Sequence, residues 1–215
     1  LWGVAGNTIY ASALGKPENF NLFRSLASDS YSVEVGSSGV FTGCIGFGTH
    51  IAFFKEHCIH RIYGSKPSNF QFADAQSQGV RLGAYKSLVN VSDNLIYLSL
   101  SGIMDYTGGT PDVFSQNFGT RRFSNGVAGT DGSKYYVSLK DGEKWELFVY
   151  DFAKGVWLKE DDTQAIDFSY DNGVLYMLSL DGKIYAMKSD DVSDELVDWY
   201  AEFGEMTENA DEKKI

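Results

Sequence analysis

The segment from Lys134 to Glu160, KYYVSLKDGEKWELFVYDFAKGVWLKE, constrains the fold of this chain more than any other stretch. Tyr135 to Leu139 is a β-branched and aromatic run, Asp141-Gly142 supplies a tight turn, and Trp145 to Tyr150 is a second run, the pattern of a hairpin. A further turn from Asp151 to Gly155 leads into Val156-Trp157-Leu158. Three strands on two short connections come close to the four-stranded blade of a propeller.

The rest of the chain reads as variations on this unit. Hairpins are expected for Ile51 to Phe54 with Cys58 to Tyr63, for Leu95 to Leu100 with Ile103 to Tyr106, and for Val174 to Leu180 with Lys183 to Met187. Their turns, at Ser101-Gly102, Asp141-Gly142 and Asp181-Gly182, carry residues that accept or tolerate positive φ. Aligning the aromatic that closes each unit puts Tyr10, Tyr63, Tyr106, Tyr150 and Tyr185 in equivalent places, mostly at spacings near the ~40 to 50 residues of a blade. The strands Asn7 to Leu14 and Cys58 to Tyr63 are each followed by Lys-Pro-x-Asn-Phe, at Lys16 to Phe20 and Lys66 to Phe70. Proline fixes φ at the strand exit, and the phenylalanine can anchor the loop on the sheet.

The expected fold class is therefore all-β, a propeller-like repeat of four-stranded antiparallel blades with about five blade signals. The domain is expected over residues 1–203, with 204–215 an acidic, mobile tail. Ser189 to Phe203 fits either a short helix or a loop into another strand. The opening Leu1-Trp2-Gly3-Val4 already lies in strand-like sequence, and no finishing element precedes Ile215, so a piece of a longer protein is expected.

Composition narrows the function classes. The chain has 13 Tyr, 15 Phe, 4 Trp and 23 Gly against 3 Pro, which suits short strands joined by tight turns. With 29 acidic and 18 basic residues the formal charge is -11, which repels phosphate backbones and anionic lipid. Neither nucleic acid nor a membrane surface is expected as a partner. No apolar run approaches the roughly 20 residues of a membrane span. Two cysteines, Cys44 and Cys58, are too few for a secreted disulfide framework, so an intracellular origin is the default expectation.

All cysteines and histidines fall in one stretch, at Cys44, His50, His57, Cys58 and His60, which invites a zinc reading. On one strand Cys58 and His60 would share a face while His57 points to the other, and no spacing matches a knuckle or finger. The preferred reading is a sheet with a buried thiol and surface imidazoles. Asp105, Asp151 and Asp167 fall in or beside strands of different units, and two or three converging carboxylates would suffice for glycoside hydrolysis. Turn-forming or solvated aspartate is the preferred reading, since Asp151 starts a turn, Asp141 and Asp181 are turn residues by type, and the Ser-x-Asp-x-Gly-x-Thr-Trp box of sialidases is missing. The acidic run Glu160-Asp161-Asp162 lacks the spaced oxygen ligands of a calcium loop and reads as a solvated loop. The glycines of Gly36 to Gly48 suit turns and bulges, and Arg121-Arg122 is too small for an electrostatic footprint. No catalytic, cofactor-binding or metal residue is assigned.

Several words of the sequence resemble structural proteins of tailed bacteriophages and prophages of Gram-positive bacteria. They are Phe41-Thr42-Gly43-Cys44, Ile51 to Glu56, His60 to Phe70, Tyr106 to Pro111, Val127 to Ser138 and Glu146 to Asp151, and the similarity runs from about Leu1 to Tyr185. The resemblance implies a non-enzymatic component of a phage or prophage virion, in the tail or head-tail region, assembled in the host cytoplasm. Its partners would be other phage structural proteins, with a ring-shaped homo-oligomer as one arrangement, and no catalytic residue is carried over. The alternatives are a polysaccharide-binding or glycoside-cleaving propeller touching the host envelope, and a kelch-like propeller binding other proteins.

Overall fold

A computed structural model describes residues 1–187 of the chain; the expected helix or loop at Ser189 to Phe203 and the tail from Gly204 lie outside the described residues. The first sheet comprises β1 (Trp2–Ala5), β2 (Thr8–Ala11) and β3 (Tyr31–Glu34). The second holds β4 (Gly43–Phe47), β5 (His50–Lys55), β6 (Cys58–Tyr63) and β7 (Gln71–Gln76). The third holds β8 (Val89–Val91), β9 (Asn94–Ser99), β10 (Gly102–Tyr106) and β11 (Asp112–Val113). The fourth holds β12 (Asn125–Thr130), β13 (Lys134–Asp141), β14 (Lys144–Asp151) and β15 (Val156–Asp161), and the fifth β16 (Ala165–Asp171), β17 (Val174–Ser179) and β18 (Ile184–Ala186). Every sheet is an antiparallel meander in which neighbours in sequence are neighbours in space. This is the propeller-like repeat that the hairpin pattern predicts.

What makes five meanders one domain is the alternation of side chains across each strand. Phe53 packs with Ile9, Val35 and Ile62 between the first and second sheets, while its neighbour Phe54 packs with Leu95, Tyr97 and Tyr106 between the second and third. Tyr135, Val137 and Leu139 face Ile96, Leu98 and Ile103 of the third sheet. Tyr136 faces the other way, where it and Val149 of the same sheet pack with Leu175 of the fifth. Each central sheet is thus apolar on both faces and buried by two neighbours, and the hydrophobic burial that holds the domain together lies between sheets.

The order of strands within a blade follows from which ones approach their counterparts. The first strands β8, β12 and β16 come close to one another, as innermost strands around an axis must, whereas β7, β11 and β15 carry mostly exposed residues on the outside. The five aligned tyrosines fall in third strands: Tyr63 in β6, Tyr106 in β10, Tyr150 in β14 and Tyr185 in β18, with Tyr10 in β2. On that alignment β1, β2 and β3 are the second, third and fourth strands of their blade, and the edge of β1 toward the axis is unpaired among the described residues. The fifth sheet shows its first three strands there. The end sheets therefore differ from the expected four strands in opposite ways.

The Lys-Pro-x-Asn-Phe words build equivalent turns. The backbone N–H of Asn19 donates to Lys16 O and that of Asn69 to Lys66 O, while Asn69 Oδ1 accepts from the N–H groups of Ser65 and Lys66 at 3.1 and 2.9 Å. Phe70 then lies against Trp2 and Tyr31, with ring centroids 5.0 and 5.1 Å away, and so anchors its loop across the interface with the first sheet.

Close approach at the axis explains two glycines of β12. A Cβ on Gly126 would stand 3.1 Å from Leu139 and 3.3 Å from Leu98, and one on Gly129 only 2.4 Å from Phe168 Cβ. Phe168 cannot yield at Cβ without moving β16. Gly129→Ala is expected to lower unfolding free energy by about 1 to 3 kcal/mol through overpacking, measured by urea denaturation, whereas Gly3→Ala, with nothing within 4 Å of the added carbon, shifts it far less.

Candidate functional site

The most concentrated set of chemically versatile side chains lies between the first and second sheets. On β6, Cys58 and His60 point to the same face, as two residues of one strand separated by a single position must. The register of β6 with β7 sets Asp74 opposite His60 and Gln76 opposite Cys58, so a thiol, an imidazole and a carboxylate converge with one ligand-type atom of each within 4.8 Å of the others. Cys58 Sγ lies 4.0 Å from His60 Nδ1, and Gln76 Nε2 approaches the same sulfur at 4.0 Å. His60 Nε2 is 2.8 Å from Ser37 Oγ.

A buried cation stands beside this cluster. Lys55, 1% exposed, pairs with Cys58 across the β5–β6 turn and donates from Nζ to Asn7 Oδ1 at 2.9 Å and Ser37 O at 2.7 Å. Its ammonium also sits 4.8 Å from the centre of the Phe41 ring. Burial pushes the Lys55 amine below its ordinary value, with Cys58 opposing the shift. Burial raises the Cys58 thiol, with Asp74 adding to the shift and Lys55 opposing it, and burial lowers His60, with the Lys55 charge adding to that shift. Both shifts favour the uncharged thiol and the uncharged imidazole, and Asp74 stands beside them at the surface.

The expectation of surface imidazoles is corrected. His57 is exposed and Cys58 buried as expected, but His60 is 0% exposed and His50 is also buried. The middle strands β5 and β6 are covered on both faces, so an imidazole on either side of them enters an interface. His50 Nε2 meets Tyr106 Oη at 2.9 Å and so joins the second sheet to the third. Cys44, on β4, is exposed and lines an apolar cleft of about 330 Å³ with Val4, Phe41, Tyr85 and Leu88. The sequence could point to Cys58 and His60 as a pair; Asp74 could be found only from the strand register.

The three aspartates of the hydrolase alternative occupy three different sheets. Asp105, on β10, accepts from Asn94 Nδ2 at 2.5 Å, and burial raises its carboxyl. Asp151 ends β14 and accepts from the N–H groups of Ala153 and Lys154 at 3.0 and 3.2 Å, the turn role expected of it. Asp167, on β16, pairs with Lys86 at 2.8 Å. No hydrogen bond among the described residues joins any two of them, and only Asp167 lines one of the clefts described, that on the fifth sheet. The acidic run is solvated as expected but is not a loop, because Glu160 and Asp161 end β15; Asp161 Oδ1 accepts from the Thr163 N–H at 2.7 Å, and Asp162 pairs with Lys159 at 2.6 Å. Arg121 is tied into an ion-pair network with Asp141 and Glu146 over the rings of Phe123 and Phe148.

The end faces of the sheet stack are unlike one another. The first sheet turns Gly3, Thr8, Tyr10, Ser32 and Glu34 away from the second. The fifth turns Tyr176, Leu178 and Ile184 away from the fourth, beside Asp167 and Ser169, and these residues line a shallow cleft of about 400 Å³. Ile184 is 70% exposed there. Among the described residues, no hydrophobic cluster joins this face to the first sheet.

No protein family matches the sequence, and no curated protein matches it significantly. Solved structures that resemble the chain include the extracellular domain of a one-component system from B. thetaiotaomicron, at 10% identity and TM-score 0.47, over 74% of this chain and 22% of that one. Kluyveromyces lactis Hsv2p aligns at 13% identity and TM-score 0.49, over 86% of this chain and 60% of that one. BamB from Moraxella catarrhalis aligns at 12% identity and TM-score 0.35, over 86% of this chain and 68% of that one. The chain spans less than two thirds of the first two proteins.

The buried imidazoles set an acid limit. Burial lowers the folded-state values of His50, which faces Arg61, and His60, which faces Lys55 and Asp74, from an ordinary 6.5. The unfolded chain therefore binds more protons below that value, so their contribution is fully present above it and is lost as pH falls toward the folded-state values. The urea midpoint is expected to be lower at about pH 5.5 than at about pH 7.5, and His60→Gln should shrink that difference if it folds; a midpoint flat across the interval contradicts the assignment.

Proposed function

We propose that this chain is a non-enzymatic interaction module that works through surfaces presented by the ends and rims of its sheet stack. A propeller-like array supports binding by loops and faces held on rigid sheets, and Asp105, Asp151 and Asp167 in this one are engaged in a side-chain hydrogen bond, a turn and an ion pair on three different sheets. The observation that carries the reading is the outer face of the fifth sheet, where Tyr176, Leu178 and Ile184 form an apolar surface that no described residue covers. Aromatic and aliphatic side chains of this kind supply the desolvated centre of protein interfaces, while Asp167 and Ser169 beside them supply a polar margin. The strand register separates the exposed tyrosines: Tyr176 lies on this outer face, whereas Tyr170 and Tyr185 project from the opposite one. They make no single stacking platform for a sugar.

The assembly we propose for the module is a phage or prophage particle, at the tail or head-tail region, where it would contact other structural proteins. This placement is supported by the sequence words from Phe41 to Phe70 and from Tyr106 to Asp151. The test is purification of particles from cells that carry the gene, followed by quantification of this chain. The account expects it to co-purify, and Tyr176→Arg combined with Ile184→Glu should cut its occupancy at least tenfold without changing its circular dichroism. Absence of the unaltered chain from particles contradicts the placement, and full occupancy of the double variant contradicts the surface.

A further inference from the structure

We propose that Cys58, His60 and Asp74 form a zinc-binding site at the outer half of the second sheet. Among the described residues this is the one place where three atoms able to ligate a metal converge within 4.8 Å. A thiolate, an imidazole and a carboxylate are a ligand set for zinc, while the sulfur disfavours calcium and magnesium. The geometry is close to what the ion needs. Tetrahedral zinc, with bonds of about 2.3 Å to sulfur and about 2.0 to 2.1 Å to nitrogen, holds those two atoms about 3.6 Å apart. Cys58 Sγ and His60 Nδ1 stand at 4.0 Å, on one strand with a rigid spacing, and need only a small contraction.

Asp74 supplies the adaptable ligand. It lies on β7, the outermost strand of its blade, and is exposed, so its carboxylate can swing toward the other two without repacking the core. The same exposure gives the ion a way in and lets a water fill the fourth position. Behind the site, Ser37 Oγ meets His60 Nε2 at 2.8 Å. With Nε2–H donating to that hydroxyl, the lone pair of Nδ1 is directed at the site, the arrangement by which a neighbouring group fixes the tautomer of a ligating histidine.

Occupancy adds one positive charge near Lys55. Binding moves the thiol proton of Cys58 to solvent, and thiolate, carboxylate and Zn²⁺ then sum to zero beside the Lys55 ammonium, so the pocket gains one positive charge, at a site open to solvent through Asp74. That ammonium is already held by Asn7 Oδ1 and Ser37 O and need not move. The bound ion would tie the outermost strand of the second sheet to its third strand.

The site is tested on the metal-free chain by titration with Co²⁺ alone, followed by displacement with Zn²⁺ alone. The expected result is one Co²⁺ per chain with a thiolate-to-cobalt charge-transfer absorption that Zn²⁺ abolishes. Cys58→Ser should remove that absorption, Cys44→Ser should leave it, and Asp74→Asn should weaken binding at least tenfold. Asp74 is exposed, so its variant keeps the test available if Cys58→Ser does not fold. A folded wild-type chain without the charge-transfer band overturns the site, as does a band that survives in Cys58→Ser, disappears in Cys44→Ser, or is bound with unchanged affinity by Asp74→Asn.

Discussion

Everything in this molecule depends on strands that are apolar on both faces. In a sheet with one wet side, hydrophobic residues alternate with polar ones; here Phe53-Phe54, Leu95 to Leu98 and Tyr135 to Val137 are continuous buried runs. Successive side chains must go to opposite faces, so such a run is stable only with a sheet on each side. Repeating that requirement from sheet to sheet produces the stack, and the closeness of the first strands near the axis then demands the small residues found at Gly126 and Gly129. The same rule turns polar residues on those strands into interface residues. Tyr97 and Tyr135 reach backbone carbonyls of Gln78 and Ser87 at 2.6 and 3.0 Å, which satisfies hydroxyls that have no access to water.

The end sheets show what happens when the rule meets its limit. The outward face of the first sheet carries Thr8, Ser32 and Glu34 around Tyr10, whereas that of the fifth keeps the apolar character of a covered face. An apolar face without a described neighbour is a surface whose free energy falls when something is laid on it, which gives the interaction reading its physical basis.

Much of the architecture was legible in the sequence because hairpins are local. Asp141-Gly142 and the strands on either side of it announce β13 and β14, and the five recurring tyrosines mark the third strands from Tyr10 to Tyr185. The incomplete end sheets were not legible, because which strand of a blade comes first is fixed by contacts across the axis. The Cys58, His60 and Asp74 cluster was half legible. Cys58 and His60 share a face by strand periodicity alone, but Asp74 enters through the pairing of β6 with β7, and the burial of His50 and His60 through the sheets on either side. Those are non-local facts that spacing within a single strand does not contain.

The central claim, that adjacent residues of one strand serve two different interfaces, is tested most directly by double-mutant cycles on Phe53 and Phe54. The ring of Phe54 lies 5.0 Å from that of Tyr97 in the third sheet, and the ring of Phe53 lies 5.8 Å from that of Trp2 in the first. Coupling energies of about 0.5 to 1.5 kcal/mol are expected for Phe54 with Tyr97 and for Phe53 with Trp2, and values near zero for the crossed pairs. Strong coupling of Phe53 to Tyr97, or none between Phe54 and Tyr97, would contradict the arrangement of sheets described here.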